Sequence, residues 1–265
     1  MEDHMTKAVC FFDLDGTLLN QDKQVPKENL DAIKRMQDED VLPVICTGRN
    51  RWELDDLVAQ TGIDTLICGN GADVFYKGRH LYQSPVGAPQ LARFVTQADK
   101  DNVAISFYND QHVAATHHDA NIEGNYKLVH QANPTVDHDF YLHEPTVMML
   151  LFTPNTDKGR EVGAQYVAAF PELAFFRNGP FALDVVNAGI NKATGIDILT
   201  DRPEFARIPT YAFGDGNNDI PMLKRATVGV AMGNALPQVA AIADYQTTDY
   251  QQGGIVDALT HFNLI

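Results

Sequence analysis

Three cysteines in 265 residues are few, and odd in number, which argues against a disulfide framework. Cys10, Cys46 and Cys68 each stand near the end of a short apolar run, where a free thiol packs as a small hydrophobe. Positive charge is scarce too. Lys plus Arg number 20 against 35 Asp plus Glu, a formal charge of −15 with no run of basic residues. That balance repels polyanions, so neither nucleic acid nor an anionic membrane surface is expected as a partner. Long apolar runs are missing: the longest aliphatic stretch, Val147 to Phe152, is far short of the ~20 residues that a helix needs to cross a bilayer. The opening residues MEDHM lack the basic and apolar regions of a secretory leader, so a cytoplasmic protein is the expectation. Nothing implies a protein partner. What is present, 45% apolar and 21% charged residues, is the balance of an ordinary globular protein with enough material for a core.

Periodicity divides the chain into three stretches. Ala8 to Phe12, Val41 to Cys46 and Thr65 to Cys68 are short apolar runs separated by helix-like segments, a β-α-β-α-β opening. The first such helix is expected from Pro26, with Leu30, Ile33 and Met36 on one face. The same alternation returns with Thr210 to Phe213, Val228 to Ala231 and a short piece near Tyr245, interleaved with helical segments from Asp219, Ala235 and Gly254. Between Tyr82 and Val186 longer amphipathic strands (Val103 to Phe107, Thr146 to Thr153, Leu173 to Arg177) mix with helices carrying Leu91, Phe94, Val95, Ala98 and then Val162, Tyr166, Ala169. The expected fold is α/β: a doubly wound parallel-sheet (Rossmann-like) core of residues 1–83 and 187–265, with an α+β domain of residues 84–186 inserted. Without a repeat, low-complexity tract or long Gly/Ser linker, the hinges must be brief, near Ser84 to Gly87 and Val186 to Gly189. In doubly wound sheets ligands bind beyond the carboxyl ends of the strands, so the residues just after each apolar run are the ones to inspect.

Four such places carry chemistry. In FFDLDGTLL, residues 11–19, a buried strand ends in Asp13 and Asp15, and Gly16 lets the backbone turn away and present amides to an anion. In ICTGR, residues 45–49, Thr47 offers a hydroxyl and Gly48 an unobstructed amide to a phosphate oxygen; alternatively, Thr47 is a plain helix N-cap. Lys192, in AGINKATGI, is a cation at a predicted helix start, where the helix dipole disfavours it; it either faces phosphate or is a solvated lysine. In FGDGNNDIPML, residues 213–223, two acids and two asparagines within five residues suit a hard cation that wants oxygen ligands, the alternative being an Asx-rich turn capping a helix.

These motifs, in this order, resemble the haloacid dehalogenase-like phosphatases, specifically the Cof-type branch, whose cap domain is inserted between the second and third motifs. The resemblance covers nearly the whole chain and implies an Mg²⁺-dependent hydrolase of phosphoric monoesters. By it, Asp13 attacks phosphorus, and Asp15 protonates the leaving oxygen and then activates water. Mg²⁺ is held by Asp13, the backbone carbonyl of Asp15, and Asp215. Phosphate is contacted at Leu14, Thr47, Gly48, Lys192 and Asn218, while Asp219 supports the metal's water shell or the loop. CGNGA at 68–72 and VAMGNA at 230–235 look like the family's turn before the cap and its late strand and turn. Where the family often has Gly-Val-Ser-Lys-Gly, this chain reads Gly189-Ile190-Asn191-Lys192-Ala193, a departure that keeps the lysine.

The histidines of the insertion, His117, His118, His130, His138 and His143, match no zinc spacing and are read as loop residues; Trp52 and Phe140 are read as packing. The site is expected under the cap, and the substrate is expected to be a small phosphorylated metabolite, a sugar phosphate first. Two rivals share the motifs: a phosphomutase using the same aspartyl chemistry, and a phospho-accepting module without turnover, for which Asp15 and the large insertion have less use.

Overall fold

The computed structural model describes residues 6–265; the reading of MEDHM as lacking a leader lies outside the described residues. The first stretch of chain carries β1 (Ala8–Phe12), α1 (Lys27–Asp38), β2 (Val41–Cys46), α2 (Asp55–Thr61), β3 (Leu66–Cys68), β4 (Asp73–Tyr76) and β5 (Arg79–Gln83). The middle adds α3 (Ala88–Asp101), β6 (Ile105–Tyr108), β7 (Val113–Ala115), α4 (Ala120–Leu128), β8 (Thr135–Val136), α5 (Phe140–His143), β9 (Met148–Leu151), α6 (Asp157–Ala169), β10 (Leu173–Asn178) and β11 (Ala182–Asn187). The last supplies α7 (Lys192–Thr200), β12 (Thr210–Gly214), α8 (Ile220–Arg225), β13 (Val228–Ala231), α9 (Pro237–Ala240), β14 (Tyr245–Gln246) and α10 (Gly254–His261). Two compact units result, one of residues 1–82 with 191–265 and the other of residues 83–190.

The first unit is built on an eight-stranded sheet in the order β14-β13-β12-β1-β2-β3-β4-β5. Its strands β1, β2 and β3 are apolar at every position because helices cover both faces. Along β1, Ala8, Cys10 and Phe12 join one core and Val9 and Phe11 the other. Ile33 and Met36 of α1 with Ile255 and Ala258 of α10 fill the first; Ile196 and Leu199 of α7 with Met222 and Leu223 of α8 fill the second. The buried face of α1 is Asn29, Ala32, Ile33 and Met36, with Leu30 only half-buried, a small shift from the expected stripe. Periodicity also misses β4 and β5, a hairpin on the sheet's edge whose strands are short, β4 mostly buried and β5 partly exposed.

Chain order turns at β1: the chain runs outward through β2 and β3, then returns to place β12 on the other side of β1. Parallel register sets Phe12 against both Ile45 and Phe213. Adjacent strands lie ~4.8 Å apart, so residues one step beyond these three strand ends must crowd together.

The second unit has its own six-stranded sheet, β10-β11-β9-β6-β7-β8, antiparallel except where β7 meets β8. Leu91, Phe94 and Val95 of α3 and Tyr166 of α6 pack with Phe107, Met149, Leu151 and Val185 of that sheet into one core. Phe140 is part of it, a packing residue as expected.

Gly71 is a point where fold and site meet. Its φ of +99° is a backbone conformation that other residues avoid, and a Cβ there would lie 2.1 Å from the carbonyl oxygen of Asn191, the residue that caps α7. Gly71→Ala should therefore cost about 2–5 kcal/mol in urea unfolding, from overpacking and a positive φ together. Gly78→Ala, also at positive φ but in open space, should cost only about 1–2 kcal/mol. Equal losses would show that the contact with Asn191 is not the cause.

Candidate active site

Asp13, Thr47 and Asp215 follow β1, β2 and β12, and the strand ladders continue into them: the Asp13 amide donates to Phe213 O (3.0 Å) and the Thr47 amide to Ile67 O (2.8 Å). Lys192 completes the cluster from the other direction. It is the first residue of α7, and its predecessor Asn191 caps the helix by accepting from the amides of Ala193 (2.9 Å) and Thr194 (3.3 Å). Far from being a solvated lysine, it is fully buried and donates from Nζ to Asp13 Oδ1 (2.5 Å) and Asp219 Oδ1 (2.6 Å). A cation at a helix N-terminus is disfavoured by ~0.3–1 kcal/mol, a small cost beside two charge-assisted hydrogen bonds in a buried setting.

Asp219 spends all its oxygens on structure. Oδ1 takes Lys192, and Oδ2 takes the amides of Asp215 and Gly216, each at 2.9 Å, so it folds the GDGNND loop around itself. Asp215 is held by Thr17, whose hydroxyl donates to Oδ1 at 3.1 Å. The loop also brings Asn218 to Asn70, Nδ2 to Oδ1 at 3.1 Å. Asn70 is buried with a φ of +54° in the Gly69–Gly71 turn. Leu14 lends only backbone: its side chain lies in the core, and its carbonyl accepts the amides of Thr17, Leu18 and Leu19.

Carboxylate oxygens of Asp13, Asp215 and Asp219 all lie within 4.8 Å of one another. When ionised they carry three negative charges against the single ammonium of Lys192, so the cluster is short of positive charge. Its titration reflects this. Burial first, then the neighbouring Asp219, push Asp13 well above the usual carboxylate range despite Lys192. Burial and Asp219 likewise push Asp215 up to about 6. Burial alone would lower Lys192, but Asp13 and Asp219 outweigh it and hold the lysine above its usual range. With Asp219 fully engaged, Asp13 and Asp215 are the carboxylates that retain lone pairs for a hard cation.

Asp15 is placed differently. Its side chain is 42% exposed and clamped by Arg49, Nε to Oδ2 (3.0 Å) and Nη2 to Oδ1 (2.8 Å), and by Lys23, Nζ to Oδ1 (2.7 Å). Burial alone would raise its pKa, but Arg49 and then Lys23 prevail and hold it below the usual carboxylate range. Thr47 is not a helix cap. The cap of the short helix at Arg51–Leu54 is Asn50, whose amide donates to Glu53 at 2.6 Å. Thr47 Oγ1 accepts the amide of Arg49 (3.1 Å) across Gly48, which leaves the hydroxyl proton free to donate.

The family model for haloacid dehalogenase-like hydrolases matches residues 10–259. The chain belongs to that family. It is 31% identical over 263 residues, 98% of this chain and 100% of the relative, to YkrA of Bacillus subtilis (strain 168), whose name marks it as a candidate phosphatase. It is 28% identical over 254 residues, covering 95% of this chain and 94% of the other, to the 5-amino-6-(5-phospho-D-ribitylamino)uracil phosphatase YcsE of the same organism. Among solved structures it is similar to the subclass IIB sugar phosphatase BT4131, with a TM-score of 0.85 and 28% identity across 97% of this chain and 100% of that one. As a member of this family with such relatives, the chain is an enzyme, a phosphoric monoester hydrolase.

Several residues at this haloacid dehalogenase-like site escaped the sequence reading. Thr17, Arg49 and Asn70 lie inside motifs that were singled out, but their roles depend on which neighbour each reaches. Asn234, in VAMGNA, donates to Gly16 O (2.9 Å) and lies 3.4 Å from Asp215 Oδ2, joining the first and last motifs. Lys23 sits in a polar loop with no signal at all.

Removing the ammonium should expose how much it compensates. Lys192→Met leaves Asp13 and Asp219 buried without their cation, which should cost about 3–5 kcal/mol of stability at pH 8 in metal-free buffer. Asp13, whose pKa burial already raises, can take up a proton at lower pH, so the loss measured by urea unfolding should shrink at pH 5. An equal loss at both values would show that charge is not what Lys192 supplies.

Proposed function

We propose that the protein is an Mg²⁺-dependent phosphatase of a small phosphorylated metabolite, a sugar phosphate first, acting through a phosphoryl-aspartate at Asp13. The observation that carries the reading is the cluster of three carboxylates within 4.8 Å of one another, two of them bonded to one buried ammonium. A divalent cation matches this donor set, with Asp13 and Asp215 and the Asp15 carbonyl as its oxygen ligands. When bound, Mg²⁺ would supply the missing positive charge and polarise the phosphoryl oxygens. The substrate class rests on the names of the relatives, which act on a ribityl phosphate and on sugar phosphates. Three buried free thiols support a reducing compartment such as the cytoplasm.

The chain's own residues divide the reaction among them. Lys192 orients Asp13 and favours its ionised form against burial and Asp219, with one oxygen toward the ammonium and the other available to form the O–P bond. Thr47, Gly48 and Asn218, with the backbone at Leu14, are assigned to the phosphoryl oxygens. The P–O bond to the leaving alcohol breaks as Asp15 donates a proton. The resulting Asp15 carboxylate then takes a proton from water, which attacks phosphorus and frees Asp13. In the structure Asp15 is clamped by Arg49 and Lys23, which favour its carboxylate form, a state suited to the second step. The first requires that substrate binding loosen that clamp and that the carboxyl arrive protonated. The unit of residues 83–190, which has its own sheet and core, is assigned to selection of the leaving group.

Asp15→Asn tests this division of labour. The substitution keeps the backbone carbonyl and the shape but removes the proton, so hydrolysis of an alkyl phosphate should slow by ~10²–10⁴-fold. A phenolate leaves with little help. Rapid quench with p-nitrophenyl phosphate should therefore show a stoichiometric burst and then slow turnover, with one phosphate mapped to Asp13. Wild-type rates on both substrates, or a label elsewhere, would overturn the assignment of the two aspartates.

A further inference from the structure

Although the chain has no run of basic residues, folding assembles a group of cations at the edge of the core sheet. Tyr76 ends β4, Lys77 and Gly78 make the turn, and β5 starts at Arg79. Both turn residues have positive φ (50° and 70°), the requirement of a tight two-residue hairpin whose twist matches its strands. Arg202 reaches the same place from beyond the C-terminus of α7. Together with His80 and Leu81 these residues line a cavity of about 510 Å³. Since β4 runs antiparallel to β3, with Asp73 beside Cys68 and Phe75 beside Leu66, the turn lies at the amino ends of the parallel strands, opposite to Asp13 and Asp215.

The charges in this cavity do not cancel. Glu204 pairs with Arg202 (2.6 Å), and Asp73 pairs with His80 (2.5 Å), whose ring stacks on Phe75. Among the described residues Lys77 and Arg79 form no salt bridge with a carboxylate, although Glu204 is near enough to feel the charge of Lys77 as well as that of Arg202. Tyr76 holds two of the cations in place, with Arg202 4.7 Å and Lys77 Nζ 5.3 Å from its ring centroid. Ordering long cationic side chains in advance removes much of the entropy cost that a ligand would otherwise meet. The ring itself is occupied by these cations and by Phe205 at its edge, so it offers little surface for a base to stack on. What remains open is a guanidinium fork and an ammonium, the groups that match phosphate oxygens.

We propose that this cavity is a second anion site, separate from the Asp13 cluster, which binds a compact phosphate polyanion through Lys77 and Arg79, with Arg202 held beside them by Glu204 and Tyr76. Inorganic pyrophosphate and the phosphate chain of a nucleotide share that chemistry. Calorimetric titration of the full chain with pyrophosphate, in chelator so that no divalent ion bridges it to the Asp13 cluster, should show one saturable site with a Kd of about 1 mM or tighter. The double variant Lys77→Gln/Arg79→Gln should weaken binding at least tenfold and leave Mg²⁺-dependent hydrolysis of p-nitrophenyl phosphate within twofold of wild type, a control for intact folding. ADP binding as tightly as pyrophosphate assigns recognition to the phosphates alone; ADP failing where pyrophosphate binds assigns the site to the free inorganic anion. No saturable binding to the wild type, or equal binding to the double variant, overturns the proposal.

Discussion

The buried ammonium of Lys192 is the constraint around which the rest of the site is arranged. Alone, it could not remain charged out of water; flanked by Asp13 and Asp219 it can, and each partner is in turn fixed by it. Asp13 is thereby aimed from the end of β1. Asp219 is anchored so that its second oxygen collects the amides of Asp215 and Gly216, which fixes the loop that presents Asp215. One charge thus links the first strand, the start of α7 and the turn after β12, three segments far apart in sequence. Gly71, whose close approach to Asn191 admits no Cβ, keeps the start of α7 where this geometry needs it.

The sheet explains why such distant segments meet. Reversal of chain order at β1 puts β2 and β12 on either side of it, and parallel register aligns their carboxyl ends. The strands and the doubly wound class were legible in the sequence because strands buried on both faces read as unbroken apolar runs, whereas their order and register were not. The motif residues stood at the ends of those runs, where they could be picked out by position as well as by type. Apart from the family resemblance, Lys192 was legible only as a misfit, a cation at a helix start.

What was not legible depended on contacts between segments. The clamp on Asp15 needs Arg49 and Lys23 to converge from separate loops, and nothing in a linear reading says which of many surface cations will do so. Asn50 displaced Thr47 as a cap because its reciprocal bonds with Glu53 outcompete a hydroxyl already taken by the Arg49 amide. The β4–β5 hairpin was missed because its strands are only four and five residues long and β5 is partly exposed, although Lys77-Gly78 carries the turn. The same hairpin gathers cations that seemed scattered along an acidic chain.

The central claim is that the site lacks one divalent cation's worth of positive charge, and thermal unfolding with and without Mg²⁺ tests it most directly. Asp215 has its pKa raised on folding to about 6. Its contribution to the metal-free fold is therefore present at low pH and lost as pH rises through that value, where Mg²⁺ can take the proton's place. Saturating Mg²⁺ should raise the melting temperature by about 5 °C or more at pH 7.5, by clearly less at pH 5.0, and not at all in Asp215→Ala. No shift at pH 7.5, or the same shift in the variant, would contradict the account.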